Sequence, residues 1–184
     1  MSVVVIPDAL PIEVAEEARA LFLATEFRHA PLEGIDQFKR FFPDAGPGIP
    51  DHDETYLTDF DTHDDLPRIK ELVRTHIAPI LRRVTNRQIT KGNHFNYKLR
   101  AGQHLRMHTD DYAGHTGFVW HLSKNWKWDW GGLLITVKDG KGAATLPVFN
   151  SLVIIDHAKA IPHCVTQVTP WAKEPRMMVT GIMR

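Results

Sequence analysis

The chain has 184 residues, of which 43% are hydrophobic and 24% are charged, so its composition is that of a globular protein with a core of its own. Lysine plus arginine equals aspartate plus glutamate at 22 each, and a neutral chain without a basic stripe gives no reason to expect a nucleic-acid partner. The single cysteine, Cys164, excludes an intrachain disulfide framework. No apolar run approaches about 18 residues and no secretory signal is evident, so we expect a cytoplasmic protein that has no membrane partner. The sequence leaves the oligomeric state open.

Residues 1–92 carry helical and loop patterns. Apolar residues at helical spacing predict one helix that begins near Pro11 and a second that begins near Pro67, with a kink at Pro79. Residues 28–60 are rich in proline and glycine and predict a long irregular connection. A plain surface loop and a lid over a functional site are both compatible with this composition.

From residue 93 onward the apolar pattern changes to period two. The stretches "NHFNYKLR" and "QHLRMHTD" alternate, and about six further short runs of strand character follow, separated by glycine, proline, asparagine and aspartate. No helical periodicity lies between them. The pattern predicts a jelly roll or a comparable antiparallel barrel over residues 93–184.

A His-x-Asp pair, His108 with Asp110, stands near the end of one of these runs. Residues two apart on a strand share a face, so both side chains can contact one metal ion. The chain has eleven histidines and fourteen aspartates, and about one such pair is expected by chance. A second pair, His63 with Asp65, falls where a helix is predicted to begin, so Asp64 or Asp65 is interpreted as its N-cap. His108 and Asp110 are therefore the candidate metal ligands.

Two later residues bear on the meaning of this pair. A set of two histidines and one carboxylate leaves coordination positions open for exogenous ligands and is typical of non-haem Fe(II) oxygenases. His163, at the start of the run "HCVTQV", is the best candidate for the third ligand, although a histidine among apolar residues is more often part of a core. Arg176 opens the run "RMMVTGIM", which carries no acidic residue, so its guanidinium either binds an anion or lies in solvent.

The order His108-x-Asp110, then His163, then Arg176 resembles the 2-oxoglutarate/Fe(II)-dependent dioxygenase superfamily. The stretches "NYKLRAGQHLRMHTD", "VWHLSKNWKWDWGGLL", "IPHCV" and "PRMMVTGIM" are similar to those of its prolyl-4-hydroxylase-like branch. The resemblance covers roughly residues 93–183. It implies an α+β, mainly β fold: a double-stranded β-helix, or jelly roll, as the catalytic core (93–184), on which the N-terminal helices of residues 1–92 pack within a single domain, 1–184.

The same resemblance implies roles for seven residues. The Fe(II) ligands that it implies are His108, Asp110 and His163. Arg176 would pair with the distal carboxylate of 2-oxoglutarate, and Thr180 shares its strand face. Tyr97 stands where the branch often has a tyrosine that lines the cosubstrate pocket. His121 stands where a tyrosine commonly helps to hold the distal carboxylate, so the imidazole is a departure from the family pattern.

The implied enzyme is a 2-oxoglutarate/Fe(II)-dependent dioxygenase, specifically a hydroxylase. It would use Fe(II), 2-oxoglutarate and O2 to hydroxylate an unactivated C–H bond of an amino acid or amino-acid residue, and release succinate and CO2. The substrate could be free, carrier-bound or peptidyl. The Arg-x-Asn-x-Thr-x-Arg ending of nucleic-acid demethylases is absent, and Asp110 argues against a halogenase. Two other interpretations stay open: a non-catalytic, cupin-like module that binds a metal or ligand, and a zinc hydrolase with the same triad, which would leave Arg176 unexplained.

Overall fold

Strands dominate the computed structural model, which describes residues 3–33, 57–110, 115–156 and 161–184. In chain order the strands are β1 (Val3–Ile6), β2 (Arg28–His29), β3 (Leu32–Glu33), β4 (Leu57–Thr58), β5 (Asp61–His63), β6 (Gly92–Leu99), β7 (Leu105–His108), β8 (Thr116–His121), β9 (Leu134–Lys138), β10 (Lys141–Thr145), β11 (Leu152–Asp156), β12 (His163–Val165) and β13 (Arg176–Met183). The helices are α1 (Ile12–Ala24), α2 (Pro67–Leu72), a π-helical turn (Val73–Ile77), α3 (Ala78–Thr85) and a 3-10 turn (Trp128–Trp130).

The strands form two main sheets. The larger sheet has seven strands in the order β1-β11-β8-β13-β6-β5-β2, and the smaller has four in the order β10-β9-β12-β7. Strands β3 and β4 form a separate pair, and every strand pairing among the described residues is antiparallel. The predicted α+β, mainly β jelly roll is confirmed.

Side-chain alternation along the larger sheet builds two apolar cores. Met177 and Val179 of β13 face the helices and pack in one cluster with Phe22 of α1 and Leu81 of α3. Met178, between them in sequence, faces the smaller sheet and belongs to a second cluster. Because successive strand residues point to opposite faces, one strand serves both cores. The helices therefore cover the outer face of the larger sheet and leave its inner face to the functional site.

The structure corrects the predicted cap of the second helix. The N-cap is Leu66, with φ −120° and ψ 90°, and no side chain makes a capping hydrogen bond. Neither Asp64 nor Asp65 is the cap, because Pro67 is the first helical residue and a proline forces the residue before it into extended backbone. The cap position therefore falls on Leu66, one residue later than the aspartates.

The helix that follows is interrupted where a kink is predicted. The π-helical turn Val73–Ile77 connects α2 to α3, and Pro79 stands in the first turn of α3. Proline has no N–H and clashes with the carbonyl four residues earlier, so regular α-helical hydrogen bonding cannot continue through it.

The lid hypothesis for residues 28–60 is not tested by the structure. Strands β2, β3 and β4 occupy the two ends of this segment, and residues 34–56 lie outside the described part of the chain. Among the residues that are described, no helix is both long and apolar enough to cross a membrane.

Candidate metal centre and cosubstrate pocket

Three potential metal ligands converge at one end of the smaller sheet. Strands β7 and β12 pair so that His163 lies directly opposite His108, and the two imidazole centroids are 4.3 Å apart. Asp110 follows β7 and places Oδ2 3.5 Å from His163 Nε2 and Oδ1 3.9 Å from His108 Nε2. The donor atoms of all three residues lie within 4.8 Å of one another. Two atoms that are each about 2 Å from one ion lie at most about 4 Å apart, so side-chain shifts of less than about 1 Å bring all three donors onto one ion.

The backbone orients both imidazoles toward that point. His108 Nδ1 is 2.7 Å from the carbonyl oxygen of Arg106, and His163 Nδ1 is 2.9 Å from that of Ile161. A carbonyl only accepts a hydrogen bond, so in each neutral ring Nδ1 carries the proton and Nε2 presents its lone pair. A hydrogen bond from the ring nitrogen that does not bind the metal fixes the tautomer and orientation of a metal-binding histidine. The donor set therefore fits a divalent transition metal such as Fe(II).

The three side chains are enclosed but reachable. His108, Asp110 and His163 keep 12, 22 and 10% of their side-chain surface exposed, so small molecules can approach a bound ion. They open onto a cavity between the two sheets. Two of the predicted pocket residues, Tyr97 and Thr180, line this cavity. Its other walls are mainly apolar and include Phe95, Leu105, Val119, Leu134, Ile155, Val165, Met178 and Ile182.

Arg176 lies beyond the residues that line this cavity, two residues before Met178 on the same face of β13. Its side chain is fully buried, and no described residue accepts a hydrogen bond from its Nε or Nη2. Burial lowers the pKa of Arg176 to about 9 from the usual 12.5. A buried guanidinium without an anionic partner is costly, so the position suits a group that receives an anion.

Gly132 makes room for the stem of Arg176. Its backbone has φ +62°, and a Cβ there would lie 2.9 Å from Arg176 Cδ and 3.1 Å from the Trp126 ring. Glycine tolerates this left-handed conformation and leaves the space that the arginine fills. The sequence analysis did not single out Gly132; the Gly-Gly pair after the tryptophan-rich turn is the only signal that could have indicated it.

His121 lies close enough to Arg176 for the two side chains to interact electrostatically. It lies on β8 directly opposite Met178 and is fully buried, and no described residue bonds to either ring nitrogen. Burial, and secondarily the positive charge of Arg176, hold the pKa of His121 well below 6.5. The imidazole is therefore neutral at pH 7 and can donate one hydrogen bond beside the guanidinium.

A pH dependence of stability follows from His121. In the unfolded chain its pKa returns to about 6.5. Below that pH the unfolded state therefore binds a proton at His121, whereas the folded state does not. The free energy of unfolding is therefore expected to fall as the pH is lowered, by up to about 1.4 kcal/mol per pH unit, and this loss vanishes above about pH 6.5.

Replacing His121 with leucine should remove this contribution. Urea unfolding between about pH 5.5 and pH 7.5 should show a shallower acid-side decline for the variant than for the unaltered chain. Equal slopes for the two proteins would mean that His121 is protonated in the folded state.

Two other histidines, His63 and His104, are not part of this donor set. His63 is on β5 and contacts the Phe27 ring, with centroids 5.9 Å apart. His104 forms an isolated β-bridge with Asp59. Cys164 lies between two inward-facing residues of β12 and is half-buried, and burial raises the pKa of its thiol.

Comparison with known proteins agrees with this arrangement. A model of the 2OG-Fe(II) oxygenase superfamily matches residues 93–184, which is half of the chain. No curated protein matches the chain by sequence. The chain thus belongs to the 2OG-Fe(II) oxygenase superfamily. It is a 2-oxoglutarate/Fe(II)-dependent dioxygenase that uses Fe(II), 2-oxoglutarate and O2.

Solved structures share its fold at low sequence identity. A prolyl-4-hydroxylase from Pseudomonas putida aligns with a TM-score of 0.67 and 16% identity, over 100% of this chain and 92% of that one. A prolyl hydroxylase from Trichoplax adhaerens, in complex with a hypoxia inducible factor oxygen degradation domain peptide fragment, aligns with a TM-score of 0.68 and 15% identity. The alignment covers 99% of this chain and 83% of that one. HygX from Streptomyces hygroscopicus, with nickel, 2-oxoglutarate and hygromycin B bound, aligns with a TM-score of 0.65 and 11% identity. The alignment covers 99% of this chain and 82% of that one.

Proposed function

We propose that this dioxygenase hydroxylates an unactivated C–H bond of an amino acid or an amino-acid residue. In this proposal His108, Asp110 and His163 bind Fe(II), and Arg176 binds the distal carboxylate of 2-oxoglutarate. The observation that carries the assignment is the combination of a convergent donor set with a buried guanidinium that has no anionic partner among the described residues. A zinc hydrolase or a passive binding module would leave that guanidinium without a purpose.

The neighbours of Arg176 have supporting roles in this proposal. His121 is neutral and donates a hydrogen bond to the same carboxylate, in the place of the tyrosine common in the family. Tyr97 and Thr180 line the pocket from β6 and β13 and present hydroxyl groups to the cosubstrate. Each hydroxyl can donate a hydrogen bond to a carboxylate oxygen of 2-oxoglutarate. Such bonds compensate for the burial of its two negative charges.

The apolar residues that line the cavity shape the environment of the reaction. Fe(II) with 2-oxoglutarate, when bound, supplies the activation of O2 that attacks a C–H bond, while the cosubstrate leaves as succinate and CO2. Phe95, Leu105 and Val119 line the cavity beside the donor set. Their side chains exclude bulk water and favour the aliphatic part of a substrate, such as the side chain of an amino acid.

The proposed substrate class is supported by the size of the pocket, the net charge of the chain and the similarity to prolyl hydroxylases. The pocket has a volume of about 90 Å³, and Asp110, which belongs to the donor set, is the one acidic group among the described residues that line it. The chain has formal net charge +0, so no long-range attraction favours a polyanion. Two of the structural neighbours are described as prolyl hydroxylases, and one of these is in complex with a peptide fragment. An amino-acid side chain, free, carrier-bound or within a peptide, fits these observations.

A substrate screen tests the proposal. The protein is loaded with Fe(II) and 2-oxoglutarate, and succinate release in air is measured with free amino acids and with short peptides that contain them. We expect at least one aliphatic or prolyl compound to raise succinate release about tenfold or more above the uncoupled rate, together with a mass gain of one oxygen. Uncoupled succinate formation that no amino acid or peptide stimulates would leave the dioxygenase class intact and refute the substrate class.

A further inference from the structure

A row of three inward-facing residues with Met178 in its middle lies next to Arg176, between the guanidinium and the rest of the cavity. Neighbouring strands of the larger sheet arrange their inward-facing residues in rows: Phe95, Thr180 and Val119 form one row, and Tyr97, Met178 and His121 form the next. Arg176 stands in the following row, opposite Leu99. Residues from the first two rows line the cavity, whereas Arg176 does not. Met178 is therefore the middle residue of the last row before the guanidinium.

Met178 is in direct contact with the guanidinium that it screens. Its Sδ meets Nη1 of Arg176, and its own exposed surface is only 1%. Rows two residues apart on a strand are about 7 Å from each other, so the arginine stem must extend back along the strand to make this contact. A neutral thioether is a weak acceptor and cannot replace a carboxylate as the partner of a charged donor.

We propose that Met178 limits the length of the cosubstrate pocket, so that its side chain must turn aside for a 2-oxo dicarboxylate to reach Arg176 from the metal site. This inference rests on the proposed function, in which Arg176 binds the distal carboxylate. Methionine has three rotatable side-chain bonds and is suited to such a displacement. Turned aside, the side chain packs against the methylene groups of the dicarboxylate and leaves no space for a longer chain.

The test compares two adjacent methionines. Met178→Ala opens the row in front of Arg176, whereas Met177→Ala removes an equally buried side chain on the opposite face, in the core beneath the helices. Both changes should lower thermal stability, because each leaves a cavity in a packed region. Only Met178→Ala should alter the selection of the cosubstrate.

Binding is measured by calorimetry on the full-length protein loaded with Mn(II) under argon, so that the readout does not depend on turnover. Three probes are used: 2-oxoglutarate, 2-oxoadipate, which is one methylene longer, and 2-oxobutyrate, which has no distal carboxylate. For Met178→Ala we expect the ratio of the 2-oxoadipate to the 2-oxoglutarate dissociation constant to fall at least tenfold, with little change for 2-oxobutyrate. Met177→Ala should keep the ratio of the unaltered protein.

Two further variants make the outcome decisive. Met178→Val is shorter than methionine but keeps an apolar side chain, and it should shift the ratio in the same direction if the alanine variant does not fold. Arg176→Met tests the underlying assignment separately, because it should weaken 2-oxoglutarate and leave 2-oxobutyrate unchanged. If Arg176→Met weakens 2-oxoglutarate while neither Met178 variant shifts the ratio, the role of Met178 is refuted alone. If Arg176→Met binds 2-oxoglutarate normally, the proposed function fails as well.

Discussion

Replacing His108 by alanine is expected to abolish 2-oxoglutarate turnover. The imidazole contributes one of three donor atoms that lie within 4.8 Å of one another, and a pair of donors binds a metal far more weakly than three. Changes to mere outer-shell partners of metal ligands cost up to about 100-fold in affinity or activity, so loss of a ligand should cost at least that much. Succinate formation and the visible charge-transfer band of the anaerobic Fe(II) and 2-oxoglutarate complex report the effect independently.

The control for this change is His63→Ala. His63 belongs to the other His-x-Asp pair of the chain, but it lies on β5 beside Phe27 and outside the donor set. Its replacement should leave the charge-transfer band and the rate within about twofold of the unaltered enzyme. Retention of both signals by His108→Ala would refute the assignment of the metal site.

Replacing Arg176 by methionine is expected to raise the free energy of unfolding of the ligand-free protein and to weaken the binding of 2-oxoglutarate. The guanidinium is fully buried and its Nε and Nη2 have no described hydrogen-bond partner. Exchange of a buried charge for an apolar side chain of similar length should stabilise the ligand-free protein, on the scale of about 1–4 kcal/mol known for buried ion pairs. Loss of one partner from a buried charge pair costs about 2–5 kcal/mol, so the 2-oxoglutarate concentration for half-maximal rate should rise about 30-fold or more.

Thermal unfolding without cosubstrate and the dependence of succinate release on 2-oxoglutarate measure the two effects. Arg184→Met is the matched control, since it removes the same charge from an exposed terminal residue and should change neither quantity. A variant of Arg176 that is destabilised and binds 2-oxoglutarate normally would reassign this arginine to a structural role.

Local patterns were sufficient for the elements that carry the site. Alternation predicted that His108 and Asp110 share one face near the end of a strand, and that Arg176 and Thr180 share one face of the C-terminal strand. These features depend only on the two-residue period of a strand, which is independent of the partners that the strand finds. The cap of α2 was predicted wrongly because the effect of Pro67 on Leu66 outweighed the capping preference of Asp64 and Asp65.

The sequence by itself determined the strand-rich second half, the candidate donors and, through the resemblance of four stretches, the superfamily. Tertiary structure decided which distant residues meet, because strand pairing sets the register between segments that lie 55 residues apart, as it does for His108 and His163. It also decided that Arg176 is buried without a described anionic partner, that Gly132 makes room for its stem, and that Met178 stands before it. No local pattern contains this information, since burial and contact arise only when two sheets close over a shared interior.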